Sequence, residues 1–177
     1  MTTLTDDIPR AEFIRRARDM VPLLRDRAVQ AEADRRIPDE THQAFVEAGF
    51  YKLLQPRRYG GYERDFSLVI DVAAELGRGC GSSCWIFSNI VNFGLVTGVK
   101  DPRAQEEVWG DNPDALLASA QPGPESRVTF VEGGVVVDGV WNFCSGVDIA
   151  DWVNLNVYNR PEDGPPEHRF VQVHKSD

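Results

Sequence analysis

The sequence has little positive charge. Its 19 lysines and arginines stand against 28 aspartates and glutamates, for a formal net charge of -9 at pH 7. Basic clusters such as Arg15-Arg16 and Arg57-Arg58 are short pairs. With no basic stripe to neutralise a phosphate backbone, nucleic acid is a poor partner. Cysteine is also scarce. The three cysteines are an odd number, and the opening Met1-Thr-Thr-Leu-Thr-Asp-Asp7 has neither the charged nor the apolar region of a secretory signal. Reduced thiols in the cytoplasm are therefore expected, not a disulfide framework. His42, His168 and His174 have no zinc-ligand spacing, so no metal site is expected. Long apolar runs are missing as well. The longest, Cys84 to Val99, is interrupted by Ser88, Asn89, Asn92 and two glycines, too short and polar to span a bilayer.

What remains is the composition of an ordinary globular protein, with 42% hydrophobic and 27% charged residues. A chain of 177 residues can bury a core as one domain or two small ones. Its first part is helical in pattern. Phe13, Ala17, Met20, Val21, Leu24 and Ala28 recur at three- and four-residue spacing, and Pro22 kinks or divides that segment. Ile37-Pro38-Asp39-Glu40 starts a second helix that Gly49 stops. A glycine-centred loop, Arg57-Arg-Tyr-Gly-Gly-Tyr62, leads to Asp65, which caps a third helix with Phe66, Val69, Ile70, Ala73 and Leu76 on its apolar face. Gly77, Gly79 and Gly81 break it. Ser82-Ser83 caps the next helix, Cys84 to about Thr97, which is apolar nearly all round and therefore central. Asp101-Pro102 opens a short helix closing at Gly110.

After Asn112-Pro113 the composition turns to β-branched and aromatic residues: Val128 to Val131, Trp152 to Val157, and Phe170 to Val173, the last two joined by the loop Arg160 to Glu167. Helices followed by strands predict an α+β chain, with an all-helical domain over residues 1–112 and an antiparallel β domain over 113–177. The last strand runs to the C-terminus, so the β domain reads as incomplete and in want of a partner.

One stretch of the β half carries chemistry. Gly133-Gly134 marks a tight turn, and Asp138-Gly139 a second. Then Trp141, Phe143 and Ser145 alternate onto one face of an extended run, with Asn142 and Cys144 on the other. Two large rings followed by a hydroxyl can floor a flat ring system and hydrogen-bond its rim. An antiparallel core strand with two buried aromatics fits the same pattern.

Three motifs occur in order: Pro56-Arg-Arg-Tyr-Gly-Gly-Tyr-Glu63, Glu75-Leu-Gly-Arg-Gly-Cys-Gly-Ser-Ser-Cys-Trp85 and Trp141-Asn-Phe-Cys-Ser-Gly-Val-Asp148. Together they resemble the acyl-CoA dehydrogenase superfamily. Within it they are most similar to the two-component flavin-dependent monooxygenases of the p-hydroxyphenylacetate hydroxylase and secosteroid phenol hydroxylase type. The resemblance implies an N-terminal helical domain, then a β-barrel-like domain of which only the start is present, with the C-terminal helical bundle absent. It implies reduced FMN or FAD from a separate flavin reductase, and O2 chemistry through a C4a-hydroperoxide that hydroxylates an aromatic, steroid-like or polyketide-type substrate. A homotetramer is implied for the complete family members.

By the same resemblance, Trp141, Phe143, Cys144 and Ser145 lie on the flavin-side strand, with Ser145 as the catalytic hydroxyl that contacts the isoalloxazine near N5 or the substrate hydroxyl. Ala118 and Ser119 match the neighbouring strand and contact the ring edge mainly through backbone. Trp85, Asn92 and Phe93 are the candidate substrate residues. Phe93 stands where many relatives carry a histidine, so a phenol-activating base is absent there, and Asn92 is left to hydrogen-bond a substrate. His168 and His174 match no family motif. Two other readings share the scaffold: an acyl-CoA dehydrogenase performing FAD-dependent α,β-desaturation, and N-oxygenation of an amino sugar. A third is a truncated, non-catalytic remnant.

Overall fold

The computed structural model describes residues 8–159 and 164–177. The heptapeptide read for a signal, and residues 160–163 of the loop before the last strand, lie outside that description. The chain divides into two compact units, Met1–Leu116 and Leu117–Asp177.

In the first unit Pro22 divides the opening amphipathic segment into α1 (Arg10–Asp19) and α2 (Val21–Asp26), followed by α3 (Ala28–Asp34). A proline has no N–H to donate, so it is tolerated only in a first turn, which is where Pro22 sits in α2. Next come α4 (Asp39–Glu47), α5 (Phe66–Leu76), α6 (Gly81–Gly98) and α7 (Pro102–Trp109). Gly49 follows α4 in the left-handed conformation, as its role as a stop requires. The Asp65 carboxylate accepts the Ser67 N–H at 3.1 Å and so caps α5 as expected.

One boundary differs from expectation. Cys80, not a serine, precedes the first turn of α6, and Ser82 and Ser83 lie inside it. Ser83 is buried at 2% exposure and so serves packing there.

The interior of this unit is aromatic. Phe87 from α6 meets Phe45 from α4 at 6.2 Å between ring centres, and Phe50 at 5.8 Å, both edge-on. All three rings are fully buried. Burying one such side chain contributes about 1.5–3 kcal/mol. The glycine-centred loop folds back over residues 52–55: Tyr62 N donates to Lys52 O, Arg64 N to Leu53 O and Glu63 N to Gln55 O. A Cβ on Gly61 would lie 2.0 Å from the Gln55 carbonyl oxygen, so only glycine allows this approach.

The second unit holds β1 (Leu117–Pro122), β2 (Arg127–Val131), β3 (Gly134–Asp138), β4 (Trp141–Asn142), β5 (Trp152–Asn159) and β6 (Glu167–His174). The strands β2 and β3 form a separate hairpin, turning at Glu132-Gly133, one residue earlier than the diglycine suggested. The main sheet has the order β4-β1-β5-β6. It is mixed and not wholly antiparallel, because β1 and β5 run parallel. The excursion through β2, β3 and β4 supplies the long crossover that a parallel pair needs.

Candidate functional site

The candidate site in the β unit forms around β1, β4, β5 and the turn after β4. Register assigns its faces. Ser119 pairs with Asn154, Asn156 with Phe170 and Tyr158 with His168. The side chains of Ser119, Asn154, Asn156 and His168 therefore share one face of the sheet. Trp141 pairs with Pro122 and lies on the opposite face, with Ala118 and Ala120. The two faces meet at Asn156. Its backbone oxygen accepts the Trp141 indole N–H at 2.9 Å, and its side-chain amide donates to the Ser119 hydroxyl oxygen, also at 2.9 Å.

The expected alternation of Trp141, Phe143 and Ser145 fails after one step. The strand holds only Trp141 and Asn142. Phe143 takes a left-handed backbone, φ 57°, which rotates the chain out of extension. A series of tight turns follows: Ser145 N donates to Phe143 O, Val147 N to Cys144 O and Ile149 N to Gly146 O. Lys175 pins this turn by donating from Nζ to Val147 O at 2.8 Å. The three side chains therefore form a short strand end and a reversal, not a stripe. Nor are they sealed in a core, since Phe143 is 85% exposed while Trp141 and Ser145 are half-buried. The Cys144 thiol is partly buried, which raises its pKa, and nearby Lys175 acts in the opposite direction.

In the helical unit, Trp85, Asn89, Asn92, Phe93 and Val96 form a stripe along α6, opposite the buried Ser83, Phe87, Ile90, Val91, Gly94 and Thr97. Trp85 is 62% exposed, and Asn92 and Phe93 are half-buried. No charged residue occurs anywhere on α6. The helix is central on one side only. Trp85 also walls an open cleft of about 490 Å³ with Ala31, Ile37 and Ile86 and the charged Glu32, Arg35 and Arg36.

Among the residues assigned to flavin, Ser119 and Trp141 are joined through Asn156, and Phe143, Cys144 and Ser145 form one turn. Ala118 is fully buried on β1, where its carbonyl oxygen lies 3.5 Å from the Asn154 amide. Asn156 escaped the sequence reading, and His168 was set aside there as matching no family motif. The available signal was the pair Asn154 and Asn156, two residues apart in the apolar run Trp-Val-Asn-Leu-Asn-Val-Tyr. Amides on one face of an interior strand need partners.

A model of the acyl-CoA dehydrogenase N-terminal domain matches residues 11–99, half of the chain. The chain belongs to the acyl-CoA dehydrogenase family. More particularly, it is 40% identical over 134 residues to the flavin-dependent monooxygenase oxygenase subunit HsaA of Mycobacterium tuberculosis, covering 76% of this chain and 34% of that protein. The crystal structure of the 3-HSA hydroxylase from Rhodococcus sp. RHA1 superposes with a TM-score of 0.86 at 33% identity, over 94% of this chain and 43% of that one. XiaF from Streptomyces sp., in complex with FADH2 and glycerol, superposes with a TM-score of 0.83 at 30% identity, over 95% and 42%. The chain thus spans well under half the length of these relatives. The expected kinship with oxygenase components is borne out, as is the α+β arrangement behind an acyl-CoA dehydrogenase-like helical unit.

Proposed function

We propose that this chain contributes the helical unit and the flavin-side strands of the oxygenase component of a two-component flavin-dependent monooxygenase. The observation that carries this reading is Phe143. A non-glycine residue held left-handed with an 85% exposed ring bears two costs that the fold does not explain, and such strain gathers at ligand sites.

The residues present suit an isoalloxazine. Phe143 offers an open aromatic surface, and the half-buried Trp141 is anchored by its indole N–H. On that side the Ser145 hydroxyl suits the oxygen and nitrogen acceptors on a flavin rim, whereas Ser119 is 8% exposed and lies on the opposite face of the sheet from Trp141. Reduced flavin, when bound, supplies the electrons by which one atom of O2 enters the substrate and the other leaves as water. Ser145 and the turn hold the ring edge, while Phe143 and Trp141 cover apolar area and exclude water. XiaF's complex with FADH2 supports reduced FAD, with FMN as the alternative.

The substrate class follows from α6. A stripe of Trp85, Asn92 and Phe93 with no charge suits a flat, neutral, aromatic or steroid-like molecule whose hydroxyl bonds to Asn92. The kinship with oxygenase subunits also supports a separate reductase, and a tetrameric assembly in a cytoplasmic setting belongs to the same proposal. Among the described residues no helix is long and apolar enough to cross a membrane.

Anaerobic titration with reduced FMN and FADH2, followed by mixing with O2, tests this reading. Saturable binding, with flavin reoxidation that slows in the presence of a phenolic ligand, is the expected result. Bleaching of bound oxidised flavin by an acyl-CoA would turn the reading to a dehydrogenase. No affinity for either flavin would leave a non-catalytic remnant.

A further inference from the structure

The turn that carries Phe143, Cys144 and Ser145 belongs to no strand ladder. Its own bonds, from Ser145 N to Phe143 O, Val147 N to Cys144 O and Ile149 N to Gly146 O, each close a loop of only a few residues. Such a turn does not by itself keep Phe143 at φ 57°, because a residue in a sparsely populated conformation stays there only where its surroundings hold it.

A hold reaches the turn from the other end of the unit. His174 pairs with Trp152 in the β5–β6 ladder, and their rings meet edge-on at 5.0 Å. The next residue, Lys175, donates its backbone N–H to Asp151 O at 2.8 Å. Its backbone is thereby tied to the start of β5, and its side chain turns back over the turn. Nζ donates to Val147 O at 2.8 Å and to Asp148 O at 3.4 Å. An exposed lysine ordinarily keeps its ammonium in water. Lys175 is exposed, yet it commits its donors to two successive carbonyls. The Cys144 thiol, near the beginning of the turn, feels the same charge.

We propose that Lys175 is a positioning residue: its ammonium gathers the Val147 and Asp148 carbonyls and so holds the 143–149 turn in the shape that sets Phe143 and Ser145 against the flavin. The inference rests on the flavin reading above and deepens it. It also gives a task to the residue that follows the last strand.

The test compares wild type with Lys175→Met, which keeps the aliphatic stem, and Lys175→Arg, which keeps the charge and the donors. The readouts are the dissociation constants for reduced FMN and FADH2, the thermal midpoint of the flavin-free chain, and the pH dependence of alkylation at Cys144. Alkylation is followed on the peptide that carries Cys144, so that Cys80 and Cys84 do not contribute. Lys175→Met should weaken flavin binding about tenfold, as loss of a charge-assisted contact would, and leave the midpoint close to wild type. It should also move the Cys144 profile to higher pH, because burial and Asp148 then raise the thiol without opposition from Lys175. Lys175→Arg should restore both affinity and profile. The idea fails if Lys175→Met binds flavin as wild type does, if the Cys144 profile does not move, or if Lys175→Arg binds no better than Lys175→Met. It also fails if affinity and midpoint fall together, since Lys175 would then be a general support of the β unit. A wild-type chain with no affinity for flavin overturns the functional reading and takes this inference with it, whereas an unaffected Lys175→Met in a chain that binds flavin overturns this inference alone.

Discussion

The two units are held together differently. Among the described residues, the largest fully buried side chains are Trp109, Phe13, Phe45, Phe50, Phe87 and a set of leucines and other aliphatics, and all but Leu117 belong to the helical unit. The β unit buries amides instead: Asn154 is fully buried, Asn156 is 5% exposed, and their side chains bond to Ser119 and to the carbonyls of β1. Its large rings stay near the surface, with Phe130, Phe143 and Tyr158 exposed and Trp141, Trp152 and Phe170 half-buried. Apolar packing is non-directional and tolerates adjustment, whereas an amide network fixes orientation. The helical unit therefore relies on apolar packing, and the β unit on directional amide bonds with its rings left near the surface.

The largest expected effect lies in the helical interior. Phe87→Ala removes a ring packed edge-on against Phe45 and Phe50 and should lower stability by about 3–5 kcal/mol. That is a large part of a typical total of about 5–15 kcal/mol. Urea unfolding followed by helical circular dichroism measures it. A loss under 1 kcal/mol would mean that this interior is not the stabilising one, and the contrast between the units would collapse.

A smaller effect is acid sensitivity in α1. Hydrogen bonds from Arg15 and then Arg16 lower the Glu12 carboxyl from its ordinary value of 4.5 to about 2. The folded pKa is below the unfolded one, so the contribution is complete above pH 4.5 and is lost as pH falls through about 2. Glu75, bonded by Arg18 and then Arg78, is shifted in the same direction. Glu12→Gln should flatten the change in urea midpoint between those two pH values. An unchanged slope would show the pairs to be too well solvated to matter.

Much of the helical unit was legible because its signals are local. Asp65 caps the helix that follows it, Pro22 must begin a turn, and Gly49 must take the left-handed bend. The serines in the first turn of α6 misled because a hydroxyl looks the same whether it caps a helix or is buried in it. In the β unit the decisive facts are non-local. Whether β1 meets β5 in parallel depends on the path of the intervening chain, which leaves no periodic trace. His168 and Asn156 are twelve residues apart and meet only through strand register. Alternation through Phe143 assumed extension, and aromatic-polar alternation carries no sign that one residue has crossed to positive φ.

That residue offers the finest test of the contrast, because stability and function should separate there. Phe143→Gly relieves a left-handed backbone that costs a side-chain-bearing residue about 1–2 kcal/mol. Against this, glycine loses about 0.5–1 kcal/mol of conformational entropy on folding. The ring is 85% exposed, so little buried area is forfeited. The net change in stability should thus lie within about 1 kcal/mol of zero and lean favourable. Flavin affinity should nonetheless fall about tenfold, because the open aromatic surface is gone. Stability unchanged with affinity lost means that the fold tolerates this strain for the sake of the ligand. Affinity unchanged would reduce Phe143 to a turn residue and leave Trp141 and the Ser145 hydroxyl to account for the site.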